Sequence, residues 1–524
     1  MTWPATALLS LSDKGGAADF ARALAAGGTR ILASGGTAAH LKQAGVTVTP
    51  VEKWTGFSDL LGGRVKTLHP HVHAPILARR AVAADMTALA ERELEPIDLV
   101  AVTLYPFETK AAALDDDAAV EEIDIGGVAL LRAAAKNHAD VIVVHDPSQY
   151  REVLEALESG AVTRERRRAW ALRTFARTAR YDAAIANELG RRSAGGGEAG
   201  VSRDHEHGAS ALPALHVVAL ERVRALRYGE NPHQEAGLYT RAGAASSLTS
   251  SHEGKELSYN NLLDLEAAVS LVWRWPDPAC VIVKHAQPCG VACAETLVMA
   301  YERALKCDEQ SAYGGIVAFN RPLDHATALR LASQFVECIS APVYTSEAEE
   351  LLKGKKNLRT VSLVAEDVAS SDPWSVRMLG PWALLQREAA QGEPAWRPVT
   401  RRAPSEDVLE ALRFAWEVAA AARSNAIAIA RGTSLIGLGS GQASRVDAVD
   451  VALMKARRAG HDLQGAVLAS DGFFPFADNV EHAADAGIVA IVQPGGSKRD
   501  AEVVAACDAR GIAMLFTDRR TFRH

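Results

Sequence analysis

Over the first 190 residues, short apolar runs alternate with stretches of helical spacing. Ala5 to Leu11 is apolar and ends in the turn SDKGG, and Ala17 to Ala26 predicts a helix stopped by Gly27-Gly28. Thr29 to Ala33 is a second apolar run, closed by Ser34-Gly35-Gly36-Thr37. Ala38 to Ala44 predicts a second helix, stopped by Gly45. IDLVAVTLYPF and ADVIVVHDP repeat the pattern further on. Such alternation predicts a parallel sheet with helices on its faces. The pattern lapses near Gly190, where GRRSAGGGEAGVSRDHEHGAS is rich in Gly, Ser and charge. This reads as a linker or loop, with a boundary between about Arg191 and Leu212. The expected division is a domain over 1–195, a link over 196–212 and a second region over 213–524. Strand candidates in the second region are ACVIVKH, GGIVAF, TSLIGLG, AVLAS and GIVAIVQP. A region of this size exceeds an ordinary single domain. The stretch from Ser370 to Pro404, with several Trp, Pro and charged residues, is the expected seam.

Composition narrows the class. The chain has 524 residues, 48% of them apolar and 23% charged, which excludes a disordered or fibrous chain. The net charge of -7 argues against nucleic acid or an anionic membrane as partner, so cations for anionic ligands must be gathered locally. Six cysteines without a CxxC pair fit a reducing compartment. The first residues lack a signal-peptide pattern, and no uninterrupted apolar run reaches the roughly 18 residues of a membrane helix. The expectation is a soluble cytoplasmic protein.

Two N-terminal strand ends carry phosphate-loop chemistry, SLSDKGG and SGGT. Glycines let backbone N–H groups approach an anion, and a helix N-terminus favours negative charge. Ordinary turn and cap chemistry is the competing reading of each loop alone. In GGRVKTLHPHVH, Arg64 and Lys66 share a face if the segment is extended, which would suit a phosphate or a developing oxyanion. His69, His71 and His73 alternate in the same way, but no nearby Cys or carboxylate completes a metal site. Tyr105, Asp124 and Lys136 are further polar candidates, each more ordinary when taken singly.

SLSDKGG, ASGGTAAHL, GRVKTLHPHVHAPIL, LYPF, IDIGG and LRAAAKNH, in this order, resemble the inosine monophosphate cyclohydrolase domain of the bifunctional purine-biosynthesis family. That domain is methylglyoxal-synthase-like. The resemblance implies that Ser12, Lys14, Ser34, Gly36, Thr37, Arg64 and Thr67 hold the nucleotide. It implies that Lys66, Tyr105, Asp124 and Lys136 carry a dehydrative ring closure. An intramolecular attack needs a folded substrate, proton transfer and oxyanion stabilisation, and no cofactor. The chain departs from the family at Thr103, where Asn is usual, at Pro75, where Gly is usual, and at Val128-Ala129, where Pro and a hydroxyl residue are common. These departures leave open a second reading, in which the N-terminal domain is impaired or only binds nucleotide.

In the second region an apolar strand delivers Lys284 and His285 to a turn before Pro288 and Gly290. Strand ends are where catalytic groups collect in α/β folds, and His is the default base near neutral pH. A core histidine is the bland alternative. His285-x-Gln287-Pro288-Cys289-x3-Cys293 looks like a damaged zinc-deaminase signature, lacking the essential Glu and with one residue too many between the cysteines. Gly437-x-Gly439-x-Gly441 looks like a dinucleotide loop but has Gln442 at the third glycine position.

LRYGENPHQ, GKELSYNNLLDL, KHAQPCGVA, AYERALKCDEQSAYGGIVAFNRP, RSNAIAIA, GLGSGQASRVDAV, SDGFFPFADNV, QPGGSKRD and FRH together resemble the aminoimidazole carboxamide ribonucleotide (AICAR) formyltransferase domain of the same family. The resemblance implies 10-formyltetrahydrofolate as co-substrate, His285 as base, Lys284 as its partner and Asn425 as the group that positions the formyl group. Arg227, Tyr228, Gly314, Glu337, Arg445, Phe473 and Arg520 match nucleotide-contacting positions, and Asp478 a position near the folate. Milder departures are Gln287, Arg423 and Ala443. Transformylase sites shared between two subunits, hence a homodimer, and a bound potassium without assignable ligands are also implied. The expected fold is α/β throughout: a methylglyoxal-synthase-like parallel-sheet domain, then two cytidine-deaminase-like α/β subdomains. A ligand-binding regulatory module and a zinc hydrolase are the competing classes.

Overall fold

A computed structural model describes residues 3–195, 212–241, 256–369, 374–387 and 394–524. The chain divides into two compact units, Met1–Glu221 and Arg222–His524.

The first unit is built on five strands: β1 Thr6–Leu11, β2 Arg30–Ala33, β3 Thr49–Pro50, β4 Leu99–Thr103 and β5 Ile142–Val144. They pair in the order β3-β2-β1-β4-β5, all parallel. The inner strands are buried on both faces, as their near-continuous apolar runs require. The order reverses between β1 and β4, and the crevice beyond the carboxyl ends of two such strands is where open α/β sheets bind ligands.

The helix predicted from Ala38 begins earlier and spans Gly35–Gln43, so Ser34 is its cap and Gly35-Gly36-Thr37 its first turn. Helix Arg164–Gly195 turns Trp170, Thr174, Thr178 and Tyr181 inward at helical spacing. It continues past Arg191, where the sequence reads as the start of a linker. Of the expected link over 196–212, all but Leu212 lies outside the described residues.

In the chain order of the second unit, β6 Leu220–Leu226 and β7 Ala236–Arg241 form a two-stranded sheet. Next come β8 Ala279–Lys284, β9 Gln287–Cys293, β10 Ile316–Phe319, β11 Cys338–Ala341 and β12 Arg359–Ser362. β13 Trp374–Leu379 and β14 Trp382–Arg387 form a separate exposed hairpin inside the expected seam. β15 Arg397–Pro398, β16 Ile427–Arg431, β17 Ser434–Gly439, β18 Val467–Ser470, β19 Ala490–Gln493 and β20 Ala513–Phe516 follow. The main sheet has 11 strands in the order β12-β11-β10-β8-β9-β17-β16-β18-β19-β20-β15.

This order is a duplication. An antiparallel hairpin (β8-β9, then β16-β17) is followed by a strand antiparallel to its first member (β10, then β18) and by two parallel strands (β11-β12, then β19-β20). The halves join through β9 and β17, at Ser434 and Ala292. One sheet therefore runs through both halves. One of its faces is a single core that takes in helices Tyr259–Val272 and Glu406–Ala421. The other face divides into two cores, one per half.

Candidate active sites

The first site lies at the switch between β1 and β4. Ser12 follows β1, and its Oγ donates to the Leu104 carbonyl at 2.6 Å. Thr103 ends β4, and its Oγ1 accepts the Asp13 N–H at 2.9 Å. The hydroxyl at the departed position thus pins the phosphate-type loop to the neighbouring strand. Thr37 is buried and spent on β1: its Oγ1 accepts from Leu11 N at 2.8 Å and lies 3.2 Å from Leu11 O. Ser34 Oγ pairs with Ser10 Oγ at 2.9 Å. Lys14 is half-buried, and Gly36 is exposed at the helix start.

The segment carrying Arg64 and Lys66 is not extended. Gly62 and Gly63, both at positive φ, reverse the chain so that Leu60 pairs with Val65, and Arg64 falls in the turn. The expectation of one shared cationic face fails for that reason. Arg64 pairs with Glu121, while Lys66 Nζ lies 3.4 Å from Glu52 Oε1. A side chain at Gly35 would collide with the Lys66 ammonium, so Lys66 lies against the start of helix Gly35–Gln43. His69 and His71 meet edge to face with ring centroids 4.7 Å apart, but the three histidines do not converge, because His71 and His73 sit two apart on helix Pro70–Leu77 and face nearly opposite ways. His69 caps that helix, its Nδ1 accepting from His71 N at 3.1 Å.

Asp124 precedes helix Gly126–Lys136. Its Oδ1 accepts from Gly127 N at 2.7 Å, and the Tyr105 backbone N–H also points to the carboxylate. Its own N–H donates to the Tyr181 hydroxyl at 2.8 Å. Burial pushes the Asp124 carboxyl above the usual range, opposed by these N–H groups. Thr67 is buried against Gly126, so Thr67, Asp124 and Tyr105 meet at this helix start. Lys136 is the last residue of the same helix, roughly 15 Å along the axis at 1.5 Å per residue. The fold does not bring it to Asp124.

The second site lies along the middle of one edge of the 11-stranded sheet, where β8 and β17 end and β9 and β16 begin. Lys284 ends β8, and its Nζ donates to the Tyr313 carbonyl beside Gly314. His285 and Ala286 form a two-residue turn with φ of 53° and 55°, closing the Lys284–Gln287 pair. Asp264, which sequence reading passed over, accepts the Ala286 N–H at 2.5 Å. In the same helix, Asn261 Nδ2 donates to Glu337 Oε2 at 3.0 Å. Only the helical i, i+3 spacing of Asn261 and Asp264 hints at a shared role, and their partners lie far off in sequence. Arg227 stacks on Tyr228 at 4.9 Å in the β6–β7 connection.

Across β9 and β17 from His285 stands a second cluster. Three strand spacings, roughly 14 Å, separate β8 from β16. Asn425 Nδ2 donates to the carbonyls of Gln442 at 2.9 Å and Ala443 at 3.2 Å. Its Oδ1 accepts from Arg445 Nη2 at 2.6 Å. Arg445 is buried and also donates to Ser470 Oγ at 2.8 Å and to Asp471 Oδ1 at 2.5 Å. Asp471 is fully buried, and nothing in its local sequence marks it as part of a site. Arg520 lies 4.4 Å above the Phe522 ring, which Arg445 also faces at 5.9 Å. Phe473 is exposed, and Asp478 opens helix Asp478–Asp485. Gln287 Oε1 accepts Arg423 N at 3.0 Å and ties the two clusters together.

Both misleading motifs find structural explanations. Cys289 and Cys293 face opposite sides of the sheet, each in a different core, so they cannot converge with His285. Gly437 and Gly439 are required because helix Arg445–Arg458 lies directly on β17, where side chains would strike the carbonyls of Ala452 and Ala448.

These sites belong to a known pair of sequence families. The family model described as AICARFT/IMPCHase bienzyme matches residues 134–455, and the MGS-like domain model matches residues 16–129. The bifunctional purine biosynthesis protein PurH of Chloroflexus aurantiacus is 46% identical over 525 aligned positions, covering 99% of this chain and 98% of that protein. A solved structure titled "Crystal structure of ForH" is 38% identical over 35% of this chain and 96% of its own, with a TM-score of 0.33. With most of its length matched by that model and nearly all of it by such a relative, the chain belongs to the AICARFT/IMPCHase bienzyme family.

Proposed function

We propose that the two sites divide the work of the family by unit, ring closure in Met1–Glu221 and formyl transfer in Arg222–His524. The enzyme transfers a formyl group from a folate-type donor to AICAR and closes the product to inosine monophosphate. The observation that carries the residue-level reading is the Lys284-His285 pair at a central strand end, facing the Asn425–Arg445 cluster along one sheet edge.

In the second unit the ring amine of AICAR attacks the formyl carbon of 10-formyltetrahydrofolate. The amine is a weak nucleophile because its lone pair is conjugated, so removal of its proton by His285 assists attack. Lys284 offsets the negative charge that develops on the formyl oxygen. The folate nitrogen then leaves with a proton. Both amide hydrogens of Asn425 are already donated to backbone carbonyls, so its contribution is a fixed amide dipole at the edge, held by Arg445. Arg227, Tyr228, Gly314, Glu337, Phe473 and Arg520 are assigned to the nucleotide, and Asp478 to the folate side.

In the first unit Ser12, Lys14, Ser34, Gly36, Arg64 and Thr67 surround the nucleotide, with Thr37 fixing the helix start they use. The carboxamide nitrogen attacks the formyl carbon and water is lost. Lys66, Tyr105 and Asp124 supply charge stabilisation and proton transfer. A role for Lys136 rests on the resemblance alone.

A homodimer is supported by the apolar side chains that the β13–β14 hairpin leaves exposed, Met378 at 69% and Trp382 at 73%, and transformylase sites shared between subunits rest on the resemblance alone. Six buried free thiols and the acidic net charge support a cytoplasmic enzyme without nucleic-acid partners. No described helix is long and apolar enough to cross a membrane. Potassium is implied by the resemblance alone, and no residue here is assigned to it.

The test is product chromatography with AICAR and 10-formyltetrahydrofolate. Inosine monophosphate is expected faster than spontaneous closure. Accumulation of the formamido intermediate would overturn the assignment of ring closure to the first unit. His285→Ala is expected to abolish transfer while nucleotide binding persists, and normal transfer would overturn the base assignment.

A further inference from the structure

The turn that carries His285 is costly by itself. A two-residue hairpin turn with both central residues at positive φ favours Asn, Asp and Gly. Here both residues carry a Cβ and lack an Asn or Asp group to bond locally, so the left-handed conformation is unfavourable for each. Strain of this kind persists when the surroundings over-determine it, and it gathers at functional sites.

The surroundings here are specific. Asp264 Oδ1 accepts the Ala286 N–H at 2.5 Å, and the His285 backbone N–H is directed at the same carboxylate. On the other side, Gln287 Nε2 donates to the Ala286 carbonyl at 3.0 Å. Asp264 sits on helix Tyr259–Val272, which is anchored by a Ser258–Asn261 capping box and by the buried residues Leu265, Ala268 and Val272. The carboxylate therefore projects from a rigid element, and hydrogen bonds to a charged acceptor are the strong ones.

We infer that Asp264 is a positioning residue for formyl transfer, holding the His285-Ala286 turn in the left-handed conformation that presents the His285 imidazole at the sheet edge. The inference rests on the reading of His285 as the base. Asp264 makes no contact with substrate in this role. It fixes where the base stands.

The test uses the full-length enzyme and steady-state formyl transfer. Asp264→Ala should lower kcat about tenfold or more, with KM for AICAR within about twofold. Glycine adopts positive φ without penalty, so adding Ala286→Gly to Asp264→Ala should restore kcat at least threefold. A purely structural role for Asp264 predicts no such rescue. Asp264→Asn keeps one acceptor oxygen and should lose less than Asp264→Ala; it also serves if Asp264→Ala does not fold, judged by circular dichroism. An unchanged kcat in folded Asp264→Ala, a loss that Ala286→Gly does not relieve, or an Asp264→Asn enzyme with no kcat overturns the inference. His285→Ala, assayed in parallel, separates the two readings: if it retains transfer, the base assignment fails whatever Asp264 does.

Discussion

The indole N–H of Trp54 donates to the carbonyl oxygen of His71 at 3.0 Å. That carbonyl is the one the residue at position 75 would bond within helix Pro70–Leu77, and Pro75 has no N–H to give. The departure from the family's glycine is thus compensated from outside the helix. Trp54→Phe should lower the stability of the first unit by about 0.5–1.5 kcal/mol, the net worth of a hydrogen bond to a partly buried acceptor. Pro75→Ala in the same background should recover part of the loss by restoring the helical donor. Thermal melts of the four proteins in the cycle give the coupling directly, and simple additivity would show that the two groups do not share the carbonyl.

Thr103 is tied to the loop after β1 through the Asp13 N–H and the Ser12 hydroxyl. Thr103→Val keeps the shape and removes the acceptor. Ring closure should lose about tenfold in kcat/KM, in keeping with about 1–3 kcal/mol for a lost buried bond. Formyl transfer should be unaffected. Thr103→Asn, the family's usual residue, should leave ring closure within a few-fold; a large gain would mean that this chain's first unit is impaired.

The Arg445–Asp471 pair is buried and holds Asn425. Removing one member strands the other, at about 3–5 kcal/mol. Asp471→Ala should therefore unfold at much lower denaturant. Arg445→Lys should fold better yet lose formyl transfer, because an ammonium cannot reproduce the forked contacts to Asn425, Ser470 and Asp471. Full transfer by Arg445→Lys would show that Asn425 needs no such support.

Burial holds the imidazoles of His73 and His145 below the usual value of 6.5. As pH falls through 6.5 the unfolded chain takes up protons that the native state refuses. Stability is therefore complete above 6.5, falls on acidification through the window below it, and levels off beneath the native values. The melting temperature should drop between pH 7.5 and 5.5. His73→Gln should show a smaller drop over that interval, measured by differential scanning calorimetry, and an identical drop would remove His73 from the account.

The sequence by itself determined the strand-and-helix alternation of the first unit and the placement of Lys284 and His285 at a strand end. Both rest on local periodicity and turn residues, which survive without knowledge of the fold. It also carried the family motifs and hence the candidate residues. Among the main-sheet strands of the second unit it missed β9, β11, β12, β15, β16 and β20: runs such as CISA and RTVS mix polar and apolar residues over too few positions to show a period, and QPCGVAC carries Pro and Gly that read as a turn. The GLGSG motif looked like a ligand loop because close helix packing and close phosphate approach both demand glycine.

Only the tertiary structure decided which groups meet. Gln287 and Arg423 are 136 residues apart, and Asp264 and Ala286 are 22 apart. Bonds of that range leave no periodic trace, since each residue's local pattern is satisfied whether or not the partner arrives. The two like halves of the second unit, which the residues imply only through the family resemblance, become visible as a duplication in strand order. The continuous sheet, and with it the edge along which His285 and Asn425 stand, follows from β9 pairing with β17.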